Sequence, residues 1–161
     1  MLSYEAIQAF VFQEARALDE RRWNDWLSFY ADDVEFWMPS WDDDDTLTTD
    51  PAREVSLIYY ANKQGLEDRV FRIETDRSSA TIPDTRHCHL ITNLEVLAQD
   101  ETSAKVRFNW ATHSFRYDIL DTYFGYSEYT IDTSGEKPLI KKKYVVLKND
   151  YIHHVLDIYH I

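Results

Sequence analysis

The chain has 161 residues, 44% of them apolar, enough for one domain spanning 1–161 with a continuous core. Three widely spaced glycines, Gly65, Gly125 and Gly135, exclude the G-x-G-x-x-G turn and the P-loop. One cysteine, Cys88, excludes an internal disulfide, a zinc knuckle or an iron–sulfur cluster held by this chain alone. Its 29 acidic against 17 basic residues leave a net charge of -12, the wrong sign for nucleic acid, and no apolar run nears the roughly 20 residues of a membrane span. The N-terminal MLSYEAIQAF has neither the basic region nor the long apolar core of a signal peptide, so a cytoplasmic protein is expected.

In chain order, Ile7, Val11, Glu14/Ala15 and Leu18 keep the spacing of one helical face, with Phe10 beside it. Trp23, Trp26, Leu27 and Tyr30 predict a second, shorter helix. Strands are expected at Val34 to Met38, closed by Pro39, and at Val55 to Tyr60. Between and around them, residues 31–50 carry eight acids and no lysine or arginine, so without them the net charge of -12 falls to about -4. Asp50-Pro51 reads as a turn, with a helix start as the alternative. A third helix is expected over Asn62 to Glu74, with Leu66, Val70 and Ile73 on one face, followed by turns and extended chain from Arg77 to Arg86.

After Arg86 the period changes to two. Leu90, Thr92, Leu94 and Val96 define one strand, and Ala104, Val106, Phe108 and Trp110 the next, joined by a turn at Gln99-Asp100-Glu101. A third is expected from about Tyr117 to Ile131, a hairpin at Thr133-Ser134-Gly135 leads to Leu139–Leu147, and Val155 to Tyr159 reads as a last short strand. Helices followed by long antiparallel strands predict an α+β fold, its sheet curving around the helices as a half-open cone. The aromatic content of 15% suits a wide core and protein interfaces.

Few constellations point to chemistry. His87 and His89 share one side of a strand and offer two metal ligands, which His113 and Asp118 would have to complete; ordinary strand histidines are the competing reading. His153-His154 face opposite ways and cannot readily chelate one ion. Asp32 or Asp33 facing a strand histidine would make an acid–base dyad inside the cone, against solvated surface carboxylates. Asp42 to Asp45 reads as a solvated acidic loop rather than a calcium site, since the alternating ligands and glycine of the EF-hand are missing. In Lys141-Lys142-Lys143, strict alternation sends Lys142 opposite to its neighbours, which requires either a partner's acids or an exposed edge strand guarded by lysine.

Four stretches carry a family resemblance: LIYYANKQGLEDRVFRIETD from Leu57, SSATIPDTR from Ser78, ALDERRWNDWLSFYADDVEFWMP from Ala17 and VLKNDYIHHVLDIYHI from Val146. Together they resemble the small (beta) subunit of aromatic-ring-hydroxylating dioxygenases, most of all the benzoate and toluate group, with the anthranilate type also similar. Ala61, Lys63 and His87-Cys88 depart from the commonest family pattern. The resemblance implies a nuclear-transport-factor-like, cystatin-related cone. It also implies a large (alpha) partner subunit that carries a Rieske two-iron cluster and a mononuclear non-haem iron, with three small and three large subunits in a hexamer. Electrons would come from NADH through a separate reductase. One cysteine cannot make the two-Cys, two-His Rieske site, so the chain is expected to be the structural subunit, with no catalytic, cofactor or metal residue of its own.

Arg69, Arg72, Arg77 and Arg86, with the turn at Pro83-Asp84, are the candidate intersubunit contacts, against surface arginines in local ion pairs. The alternatives to a subunit role are a free-standing dehydratase or isomerase of the same cone fold, using an Asp–His pair, and a ligand-binding module without chemistry.

Overall fold

The computed structural model describes residues 1–79, 84–150 and 156–161, with 76–79 given by their backbone. Helix α1 covers Tyr4–Asp19, and the Ser3 side chain caps it by accepting from the Ala6 N–H. It ends where Arg21 turns left-handed, at φ 55°. Helix α2, Trp23–Leu27, lasts one turn, and Tyr30 already belongs to strand β1, Tyr30–Pro39, instead of extending the helix. Pairing of Tyr30 with Ile140 of β6, Leu139–Leu147, outweighs the helical spacing of the sequence.

Strand β2, Ser56–Tyr60, follows a turn at Asp50-Pro51 in which the Arg53 and Glu54 amides donate to the Asp50 carbonyl. Helix α3 runs over Lys63–Ser79, longer than its periodicity suggests. Ser78 and Ser79 are weak helix formers but do not block a helix; the first residue that removes an amide donor is Pro83, beyond its end.

The remaining strands are β3, Arg86–Gln99, β4, Ser103–Arg116, and β5, Ile119–Asp132. The β4–β5 connection is a two-residue turn of Tyr117 and Asp118, both left-handed at φ 53° and 60°, so β5 starts two residues later than the sequence suggests. Asparagine and glycine normally mark such a turn, and placing a tyrosine there costs roughly 1 kcal/mol. Ile158–His160 form a 3₁₀ turn capped by Asp157 and not a strand; Val155, His153 and His154 lie outside the described residues.

The six strands form one sheet in the order β2-β1-β6-β5-β4-β3, antiparallel except where β1 runs parallel to β6. Its inner face carries Val106, Phe108, Trp110, Tyr129, Ile131 and Val145, all buried against Ile7, Val11, Leu18 and Trp26 of the helices. Irregular registers bend the long strands: Asn93 is left-handed at φ 55° in the break between Thr92 and Glu95. Gly125 allows a close approach, because a Cβ there would stand 1.8 Å from the Val146 carbonyl oxygen. At the β3 edge, α1 meets backbone groups directly, through the Tyr4 hydroxyl on the Leu94 carbonyl and the Asp19 carboxylate on the His89 amide.

Candidate functional site

The apolar stripe of α1 includes one charge, Glu14, which is 1% exposed. Four donors converge on its carboxylate: Trp26 Nε1 at 2.8 Å, the Tyr30 hydroxyl at 2.5 Å, the Tyr129 hydroxyl at 3.0 Å and Lys143 Nζ at 3.2 Å. Lys143 reaches the interior because β6 bulges. Thr130 pairs with Lys142 while the next residue, Ile131, pairs with Ile140, leaving Lys141 as the extra residue. Lys141 and Lys142 therefore both turn outward, to Asp33 at 2.5 Å and Glu35 at 2.9 Å, while Lys143 turns in. This corrects the strict alternation expected for the three lysines. The acids that meet them come from this chain, and β6 lies in the middle of the sheet rather than at an edge.

Burial opposes ionisation of Glu14, but Lys143 and the hydrogen bonds from Tyr30, Trp26 and Tyr129 outweigh it and hold the carboxyl below its ordinary value. Burial also lowers Lys143, with Glu14 opposing, and raises the Tyr30 and Tyr129 phenols. A carboxylate surrounded by four donors in a low-dielectric interior is a satisfied ion pair, and removing either charge strands the other.

A second cluster lies between α1 and β3. The His89 Nδ1–H donates to Asp19 Oδ1 at 2.6 Å, and the His87 Nε2–H to the Leu18 carbonyl at 2.7 Å. Burial lowers the His87 pKa, which keeps it neutral, and its ring stacks on Tyr159 at 5.2 Å. His89 Nε2, His87 Nδ1, Trp110 Nε1 and Thr112 Oγ1 are buried and find no hydrogen-bond partner among the described residues. His89 and Trp110 face a cavity of about 10 Å³ together with Glu14, Tyr129, Lys143 and Ile161. That volume takes at most about one water molecule. On its other side the Asp19–His89 pair borders an open groove of about 260 Å³ with Phe12, Ala15, Arg16 and Ile91, so it has the geometry of an acid–base dyad at a surface groove rather than inside the cone.

The other sequence candidates are dispersed. Asp33 is held by Lys141, and Asp32 is exposed on the same strand, so neither forms the dyad with a histidine. His113 pairs in register with Cys88, which places both on the outer face, opposite His87 and His89, and its Nδ1 meets the Thr122 hydroxyl at 2.9 Å. Asp118 occupies the β4–β5 turn. Among the described residues no group of three or more histidines, cysteines or carboxylates is arranged to hold a metal.

Arg69 reaches across to Asp157 with two hydrogen bonds, one of 2.8 Å from Nε, and so ties α3 to the 3₁₀ turn. Asp84 pairs with Arg21 at 3.1 Å. Arg72 and Arg86 are exposed; the Arg77 side chain and Pro83 lie outside the described residues. The buried Glu14–Lys143 pair and the half-buried Asp19–His89 pair were missed by sequence reasoning. A glutamate within an apolar helical stripe was the available signal, but nothing local names a partner 129 residues away.

A family model, ring hydroxylating beta subunit, matches residues 13–154. The chain belongs to that family. This beta subunit is 57% identical over 160 residues to toluate 1,2-dioxygenase subunit beta of Pseudomonas putida, covering 99% of both chains. It is 59% identical to benzoate 1,2-dioxygenase subunit beta of Acinetobacter baylyi, covering 99% of this chain and 95% of that one. Identity to the anthranilate 1,2-dioxygenase small subunit of the same organism is 32%, over 97% and 96% of the two chains.

Its fold superposes on the crystal structure of the beta subunit of benzoate 1,2-dioxygenase from Burkholderia mallei with a TM-score of 0.88 and 53% identity, covering 100% and 99% of the chains. A scytalone dehydratase homologue from Novosphingobium aromaticivorans, at TM-score 0.63 and 15% identity over 94% and 89%, shares the cone alone. The beta subunit thus has the nuclear-transport-factor-like α+β cone that its sequence resemblance implies. Its residues do not fit a Rieske cluster, because Cys88 is the single thiol.

Proposed function

We propose that this chain is the non-catalytic small subunit of a Rieske non-haem iron dioxygenase that cis-dihydroxylates benzoate-like aromatic acids in the cytoplasm. It acts as one domain over residues 1–161. The full-length likeness to benzoate and toluate small subunits carries this reading, and the small interior cavity beside Glu14 supports it. The cavity of about 10 Å³ beside Glu14 and His89 is too small for an aromatic ring, which supports placing the substrate on the partner. In this reading the large subunit holds the Rieske cluster and the mononuclear iron, NADH supplies electrons through a separate reductase, and three large subunits assemble with three small ones.

The experiment is co-expression with a benzoate-type dioxygenase large subunit, followed by mass determination, iron analysis and turnover of benzoate, toluates and anthranilate. A stable hexamer with iron confined to the large chain and cis-diol product from benzoate is the expected result. A monomer or dimer that ignores the large subunit overturns the proposal. Replacing His87, His89 and His113 singly with Asn is expected to leave the iron content per assembled complex unchanged. Loss of iron from an intact assembly would refute the non-catalytic role.

A further inference from the structure

The inner face of the sheet turns polar near the β4–β5 turn. Ser114 and Asp121 stand opposite each other there, and Arg116 opposite Ile119 is the next pair on the same face. With Tyr117, Tyr123 and Tyr159 they line a cavity of about 220 Å³. A cavity of roughly 150 Å³ already takes benzene, so this one has room for a single ring and one substituent.

The groups around it are donors in want of an acceptor. The Arg116 guanidinium lies 4.7 Å from the centre of the Tyr117 ring and donates to the Tyr117 hydroxyl at 3.2 Å, and it forms no ion pair among the described residues. Its remaining N–H donors suit a planar carboxylate, which accepts two parallel bonds from a guanidinium. The hydroxyls of Ser114, Tyr123 and Tyr159 make no hydrogen bond among the described residues either, although Ser114 is 6% exposed and Tyr123 3%. Burial and Asp157 raise the Tyr159 phenol, with Arg69 and Arg116 opposing, so it stays protonated and able to donate. The turn adds an independent sign. Tyr117 is left-handed at φ 53°, a strained position for a tyrosine, and its ring is the surface on which Arg116 rests. Strain at the residue that positions an unpaired charge points to a ligand. Asp121 also lines the cavity, and its charge limits the ligand to one carboxylate, held at the Arg116 end.

We propose that this cavity binds a single-ring aromatic monocarboxylate, its carboxylate on the Arg116 guanidinium and the Ser114 hydroxyl and its ring against Tyr123, Tyr159 and Ile119. The proposal adds binding, not chemistry, to the subunit reading above and does not depend on it. Arg116 supplies the charge recognition, and the aromatic walls select a ring over an aliphatic acid.

The test is calorimetric titration of the full-length chain with benzoate, assembly with the large subunit being measured separately so that binding and assembly fail independently. One benzoate is expected per chain, its ring protons showing nuclear Overhauser effects to Tyr123 and Tyr159. Arg116→Gln is expected to weaken binding about tenfold or more, and benzamide, which has the shape without the charge, to bind the wild type about tenfold more weakly than benzoate. Glycine suits the left-handed turn better than tyrosine, so Tyr117→Gly should bind several-fold more weakly in a chain of undiminished stability, which separates lost positioning from misfolding. Arg16→Gln, at the groove beside α1, is the control and is expected to leave the affinity unchanged. Acetate binding as tightly as benzoate would mark a socket for any carboxylate, such as an acidic side chain of a partner, and overturns the proposal. So does an absence of binding at about 10 mM benzoate, or an affinity that Arg116→Gln leaves unchanged.

Discussion

The two faces of the sheet meet opposite fates on the same strands. On the inner face, β4 and β5 bury Val106, Phe108, Trp110, Tyr123 and Tyr129, and even a full ion pair finds every partner within the chain. On the outer face the same strands divide. Toward the β5–β6 end, Lys105 and Arg107 bridge to Glu128 at 3.3 Å, and the connection after β1 stands over Trp37 and Tyr144 across a cleft of about 400 Å³. Toward the β4–β5 turn the face exposes Phe115, Leu120 and Phe124, with the row Cys88–His113–Thr122 among them. The inner face holds its charges in internal pairs, whereas the outer face meets solvent with both charged and apolar side chains.

The largest effect should come from breaking the inner face. Glu14→Gln leaves Lys143 charged and buried, and is expected to lower the unfolding free energy by about 3–5 kcal/mol, read by urea denaturation. Adding Lys143→Met should recover most of that loss; a double variant no more stable than the single one would show that the pair is not the unit that matters. The same carboxylate sets an acid limit. Its native pKa lies below the unfolded value, so as pH falls the unfolded chain takes up the proton first. The contribution is fully present above the ordinary glutamate value of about 4.3 and disappears as pH drops through the native one. The acid-unfolding curve of Glu14→Gln should be flatter there than that of the wild type.

Arg69→Ala should cost about 1.5–3 kcal/mol by leaving the nearly buried Asp157 without its guanidinium. Amide exchange over residues 157–161 should rise before that of the sheet, and uniform exchange would mean that the contact is not a local latch. The smallest effect belongs to the solvated outer half, where Lys105→Met should change stability by less than about 1 kcal/mol. A larger loss there would erase the contrast between the faces.

Particular residues show how far the sequence could be read. The stripe of α1 and the alternation from Ala104 to Trp110 were legible because each buried position repeats at the period of its own element. The lysine triplet was misread because one bulged residue reverses every later side chain of a strand, and no local pattern announces it. The Tyr117-Asp118 turn was missed because it lacks the usual asparagine or glycine and is held by strands that pair on both sides. Asp32 and Asp33 drew attention as acids near a helix end, whereas the acid that holds a histidine, Asp19, stands at the end of α1, 70 residues from His89.

By itself the sequence determined the order of the elements, the α+β class, the family, and the impossibility of a Rieske cluster on a chain with one thiol. All of these depend on local periodicity, composition or recognisable stretches. Tertiary structure alone decided that Lys143 faces Glu14 and that Asp19 meets His89. Those features arise from residues far apart in the chain, and strand order and register, which local sequence constrains weakly, bring them together.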